Sequence, residues 1–204
     1  MLDKNSIRVR VAVVVLAALL SSLGSFGYYL STQIRRINER DETAKLQNIN
    51  QLVLNMIAQT DLTLKGQIES WSQAFTESMS GKYSLEIDHD TSILKRDGHS
   101  LNGSTREVDL FSNSGKGAVA SIFARRGDDF VRIASSTRKE DGSRALGSAL
   151  DRDNPAYPLV LAGRSYVGKA ALLGRSYMTK YDPIKDIRGQ VVGIHFVGID
   201  ITDA

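Results

Sequence analysis

Apolar and polar positions alternate in three different ways along the 204-residue chain. From Val11 to Leu30, VAVVVLAALLSSLGSFGYYL carries no charged side chain. As a helix, that run spans a bilayer core of roughly 30 Å. Lys4, Arg8 and Arg10 precede it, and Tyr28 and Tyr29 stand at its far edge, where aromatic rings suit the membrane interface. The basic leader keeps the N-terminus in the cytoplasm and exports the chain beyond the span, with Arg35 and Arg36 as counterweight on the far side. A cleaved signal peptide is the competing reading. The apolar run is long for one and SSLGSFG is a mediocre cleavage site, so we read an uncleaved signal anchor in the bacterial inner membrane.

The second stretch has a helical period. Leu46, Ile49, Leu52, Val53, Met56, Ile57, Thr60, Leu64, Ile68, Trp71 and Phe75 recur at steps of three and four, which places them on one helix face. Asn, Gln and Glu fill the other face. The pattern predicts a helix over 31–79, on the order of 70 Å long, with Gly66 as its weak point. Helices of that length in small domains bury their stripe against a partner helix as well as a core, so a homodimer is expected.

Beyond Gly81 the period shortens. Residues 82–114 are polar, with apolar runs at Tyr83–Ile87 and Val108–Phe111, and read as short strands and loops. From Gly117, AVASIFAR and DDFVRIASS are strands joined at Arg126-Gly127-Asp128, and KEDGSR is a further turn. NPAYPLVLAG is a short helix with Pro155 in its first turn and Gly163 at its C-cap. YVGKAALLG, SYMTKYDPI and QVVGIHFVGIDIT are three more strands. A long helix, about five antiparallel strands and a short helix make an α+β domain. The expected segments are a cytoplasmic N-terminus (1–10), a transmembrane helix (11–30), a long periplasmic helix (31–80) and the α+β domain (81–204).

Composition narrows the chemistry. Hydrophobic (42%) and charged (24%) fractions are those of a globular chain. The net charge is only +3 and the bases are scattered among acids, so a nucleic-acid partner is excluded. There is no cysteine, hence no disulfide or thiolate metal site. His89 and His99 follow no spacing rule, and Asp182, Asp186 and Asp200 form no calcium loop. No G-x-S-x-G elbow, H-E-x-x-H motif or P-loop occurs. We therefore expect no cofactor, no metal and no catalytic residue. A membrane-anchored enzyme would need a convergent base and nucleophile, whereas the carboxylates here gather in turns.

What remains is a dense set of cations and tyrosines. PAYPLVLAGRSYVGKAALLGRSYMTKY, residues 155–181, holds Tyr166, Lys169, Tyr177 and Lys180 with no acid between them. Tyrosine offers an apolar body with a hydroxyl handle. Alternation puts Tyr177 and Thr179 on one face, Met178 and Lys180 on the other. In the preceding strand it puts Arg132 with Phe130, Ala134 and Ser136. An arginine among small residues has room to bind a carboxylate bidentately, or it is a solvated sheet residue. Arg144 follows the Asp141-Gly142 turn, where an arginine usually faces solvent. His195, alone among apolar strand residues, is more often a satisfied core group than a ligand.

GDDFVR, GSRALG, PAY, AGRSYVGKA, GRSYMTKYDPI and VVGIHFVGID occur in that order over residues 82–201. Together they resemble the extracytoplasmic single-Cache sensor domain, in the subtype that fuses third-type and second-type Cache. The resemblance implies a PAS-like antiparallel sheet on a long N-terminal helix, binding a small molecule between sheet and loops. Members are mostly sensing regions of methyl-accepting chemotaxis receptors, and some serve histidine kinases or nucleotide cyclases. Their ligands are often small organic acids, so a carboxylate is the expected partner. Carried over by position, Arg132, Arg144, Tyr166, Lys169 and Tyr177 are the expected ligand-binding residues. The chain departs from the pattern at Asp153-Asn154, where a histidine is expected before the proline. Lys169 stands for an arginine, His195 for an apolar residue, and Ser135 and Ser148 for threonines. Such receptors continue into a second membrane helix and an output domain, so a sequence ending at Ala204 reads as a fragment or a truncated product.

Overall fold

A computed structural model describes residues 4–89, 91–115 and 117–202. The outer ends of the expected segments, 1–3 and 203–204, lie outside the described residues. The chain forms two compact units, Met1–Gln59 and Thr60–Ala204. Helix α1 (Lys4–Ser78) supplies all described structure of the first unit and enters the second. Within the first unit, Arg10–Arg36 is long and apolar enough to cross a membrane, and its large apolar side chains are exposed. The predicted helical stripe divides. Leu46, Ile49, Leu52 and Ile57 are exposed, whereas Ile68 and Phe75 are buried and Leu64 and Trp71 half-buried against the second unit's core.

The second unit is the α+β domain. A three-stranded antiparallel sheet has the order β1 (Tyr83–Asp88), β2 (Thr91–Arg96), β3 (His99–Ser100). Helix α2 (Arg106–Asn113) comes next. Then come β4 (Ala118–Arg126), β5 (Asp129–Ser135), α3 (Ala156–Leu161), β6 (Tyr166–Leu172), β7 (Arg175–Lys185) and β8 (Val191–Asp200). These five strands form one antiparallel sheet ordered β5-β4-β8-β7-β6. The β4–β5 turn holds Gly127 at φ 62°, the left-handed backbone a two-residue hairpin needs at that position.

The run Val108–Phe111 corrects the strand-and-loop expectation for 82–114. It lies in α2, because Val108 and Phe111, three apart, turn one helical face inward. Phe111 meets the Trp71 ring edge-on at 5.7 Å and Phe75 at 5.0 Å. The core has two parts, one on each side of the large sheet. Ile68, Phe75, Leu94, Val108, Ile122 and Met178 belong to the helix side. Phe123, Phe130, Leu150, Val160, Tyr181 and Phe196 belong to the opposite side, covered by α3.

Candidate ligand-binding site

Pairing registers decide which side chains share a face, because residues directly opposite on neighbouring strands point the same way. Tyr166, Tyr181, Phe196, Ser121 and Ser135 form one continuous row across the large sheet. Arg132, Phe123 and Ile194 form the adjacent row on the same face. Simple alternation fails at β5. Ala134 pairs with Ile122 but Arg132 pairs with Phe123, leaving Ile133 as the extra residue of a β-bulge. Arg132 therefore shares its face with Phe130 and Ser135, and Ala134, expected beside it, lies on the other.

The Arg132 guanidinium sits over the Phe123 ring at 4.9 Å from its centroid. Its Nε is the one buried side-chain nitrogen or oxygen without a hydrogen-bond partner among the described residues. No ion pair of the described residues reaches it either. Burial pushes its pKa below the ordinary arginine value, and the Tyr181 phenol opposes that shift. Tyr181 is buried and its pKa is raised, foremost by burial, while Asn154 and Arg132 pull the other way. Its ring stacks at a tilt on Phe196 (4.8 Å) and lies 6.2 Å from Tyr166. Tyr166 lies back along its own strand. A Cβ at Gly168 would come within 2.2 Å of the Tyr166 hydroxyl, so only glycine admits the ring there. Asn154 accepts from the Ala156 N–H at 2.9 Å, which opens α3. The open grooves described in the molecule do not include Arg132; α3 and Leu150 cover its face.

The other expected residues lie apart. Tyr177 is on the same face, four residues along β7 from Tyr181, buried beside Gly198 and Asp200. Arg144 holds Asp109 of α2 bidentately at 2.8 and 2.7 Å and donates to the Ser135 carbonyl at 2.6 Å. That bonding holds the Asp109 carboxyl below its usual range. Lys169 pairs with Met178 on the helix face, its Nζ 3.4 Å from Asp61. Neither cation joins Arg132 in one pocket. Sequence reasoning passed over Tyr181 and Asn154. The signal for Tyr181 was available, since alternation already grouped Tyr177 with Thr179.

His195 is buried on the helix face. The Tyr83 hydroxyl donates to the Met79 carbonyl and lies 3.1 Å from His195 Nε2, which donates to it. Burial holds the His195 pKa at about 4. Burial likewise pushes Tyr83 up to about 12. Among the described residues no three His, Asp or Glu side chains gather as metal ligands.

One face of the large sheet thus packs on the long helix, and the other carries the half-buried Arg132 beneath α3. The family model of the Cache 3/Cache 2 fusion domain matches residues 31–204. The chain belongs to this family. No curated protein matches it. Cache domains are extracytoplasmic, non-catalytic ligand-binding modules, so small-molecule sensing outside the cytoplasm is the function that membership carries. The Cache match begins at Ser31, next to the exposed Tyr28 and Tyr29, and takes in the whole second unit.

Proposed function

We propose that this Cache domain is the sensing region of a transmembrane methyl-accepting chemoreceptor that binds a small organic acid at Arg132. The observation that carries the reading is the buried Arg132 Nε, a donor with nothing to bond. Leaving such a group unpaired costs roughly 1–3 kcal/mol, and more for a charged one. A ligand carboxylate would repay it with charge-assisted, bidentate hydrogen bonds. The Tyr166 and Tyr181 hydroxyls and the Asn154 amide supply neutral polar contacts on the same side. Tyr177 borders the site, while Arg144 and Lys169 are engaged elsewhere. Arg10–Arg36 acts as an uncleaved anchor in the inner membrane. The exposed stripe Leu46, Ile49, Leu52 and Ile57 packs against a second copy, giving a homodimer. Binding then shifts the dimer between two helix packings by its differential affinity for them.

Thermal unfolding of the full chain in detergent, with a panel of mono-, di- and tricarboxylates, amino acids and amines, tests this. A carboxylate should raise the melting temperature with the logarithm of its excess over Kd, and Arg132→Ala should abolish the rise. Stabilisation by amines alone, or an undiminished rise in Arg132→Ala, would overturn the assignment. Migration of cells toward or away from the stabilising acid separates a chemoreceptor from a kinase or cyclase sensor.

A further inference from the structure

The small sheet ends in an open edge. In an antiparallel pair, alternate residues turn their N–H and C=O toward the partner strand and the rest turn them away. The bonds around Asn102 show which is which. Leu94 donates its N–H to Asn102 Oδ1 at 3.1 Å and accepts at its carbonyl from Leu101 at 2.9 Å. Ser92 accepts at its carbonyl from Asn102 Nδ2 at 2.9 Å. Leu94 and Ser92 thus direct their backbones away from β1. Their register partners are Leu85 and Ile87. Those two residues must direct theirs away from β2, to the outer edge of β1. No strand pairs there, and no described hydrogen bond takes those groups.

The outer edge faces a charged groove. A solvent-open space of about 820 Å³ is lined by Leu85 and Ile87 on one wall and by Arg125, Lys185 and Arg188 on the other. The acid among its lining residues, Asp186, is engaged by its own turn, accepting from the Arg188 and Gln190 N–H groups at 2.9 Å each. Lys185 and Arg188 have no described ion pair. Ile87 is 73% exposed. Natural edge strands are blunted by charged side chains, proline, bulges or a covering element; YSLEID has no proline or lysine, and its charges, Glu86 and Asp88, do not line the groove.

We propose that β1 and this groove dock an extended acidic segment of another protein, which adds a strand to the β1-β2-β3 sheet. Main-chain bonds to Leu85 and Ile87 would supply affinity, and side-chain chemistry the selection. Carboxylates on one face of the added strand meet Arg125, Lys185 and Arg188. On the other face Glu86 and Asp88 of β1 repel acids, so the segment carries its carboxylates at alternate positions. This surface lies apart from Arg132 and stands whether or not that residue binds a carboxylate.

The test uses the full chain in detergent and fluorescein-labelled peptides of about eight residues, a strand's length. One alternates glutamate with threonine, one alternates lysine with threonine, and one has the same glutamates in a block. Anisotropy should show binding of the alternating glutamate peptide, weaker binding of the block and none of the lysine peptide. Charge reversal in Lys185→Glu/Arg188→Glu should weaken it at least about tenfold. Ile87→Pro should do the same, since it removes an outward N–H and leaves the bonds to β2 in place. Should Ile87→Pro melt early, N-methylation of alternate peptide residues tests the same bonds without altering the protein. Absence of binding by the glutamate peptide, or binding indifferent to charge reversal and to both backbone changes, would overturn the proposal. Self-association lost on Ile87→Pro would assign the edge to a second copy and overturn it as well.

Discussion

The two faces of the large sheet handle charge in opposite ways. On the helix face, each polar group inside the core has a partner from another element. Lys180 meets Glu69 of α1, Asp182 accepts from Ser72 and Ser165 at 2.5 Å each, and His195 meets Tyr83. On the opposite face, Arg132 stands beside Phe123, Phe130 and Tyr181, and among the described residues its buried Nε meets no acceptor. Satisfied groups hold a helix to a sheet in one arrangement. An unsatisfied one stores an unfavourable term that a ligand can relieve. The contrast separates the paired groups that hold the helix to the sheet from the unpaired one on which the proposed carboxylate site rests.

The largest expected effect lies on the helix face. Phe75, fully buried between Phe111 and His195, should cost roughly 3–5 kcal/mol on truncation to alanine. Urea unfolding of the full chain measures this, and a loss under about 1 kcal/mol would mean that the helix contributes little to the core. Next comes pH. His195 is held at about 4 in the folded state against an ordinary 6.5. Above pH 6.5 it is neutral folded or unfolded, and its contribution is complete. As pH falls toward 4 only the unfolded chain takes up the proton, so stability should drop by roughly 3 kcal/mol across that window. Arg96, Asp182 and Tyr83 are the charged or titratable groups around it. A His195→Leu variant should flatten the slope between pH 6.5 and 4; an unchanged slope would place its source elsewhere.

The opposite face should behave with reversed sign. Arg132→Leu removes a half-buried charge whose Nε is buried and unpaired, so the unliganded domain should gain up to about 1 kcal/mol while losing its response to carboxylates. A destabilised Arg132→Leu would show that the guanidinium holds the fold. Arg144→Ala should cost about 1 kcal/mol through the half-buried Asp109 pair and leave the carboxylate response intact. The exposed Lys169 pair is the smallest case: Lys169→Ala should change neither melting nor ligand response measurably.

The strand pattern was readable because β4 to β8 alternate or run apolar between turn residues, and the α+β class came from it. Val108–Phe111 was not, because two apolar residues three apart in a polar stretch fit either period until Trp71 and Phe75 offer a surface. In the candidate site, Arg132 and Tyr166 were singled out from residue type and family resemblance, and the fold puts both on one face. Arg144 and Lys169 carried the same chemistry in the sequence. Their partners, Asp109 and Asp61, are distant in the chain and invisible to local reasoning.

By itself the sequence determined what depends on neighbours along the chain: the apolar run at Val11–Leu30, the helical stripe, the strand alternation and, from the lack of cysteine, the absence of thiolate chemistry. Local spacing settles these, because helix and strand geometry repeat over three or two residues. Tertiary structure alone decided which cations remained free. A one-residue bulge at Ile133 turned Arg132 to the face opposite Ala134. Strand register set Lys169 toward α1, and a carboxylate on α2 took up Arg144. Whether a guanidinium is paired depends on an acid that any stretch of the chain can deliver, and only the closed fold specifies which one arrives.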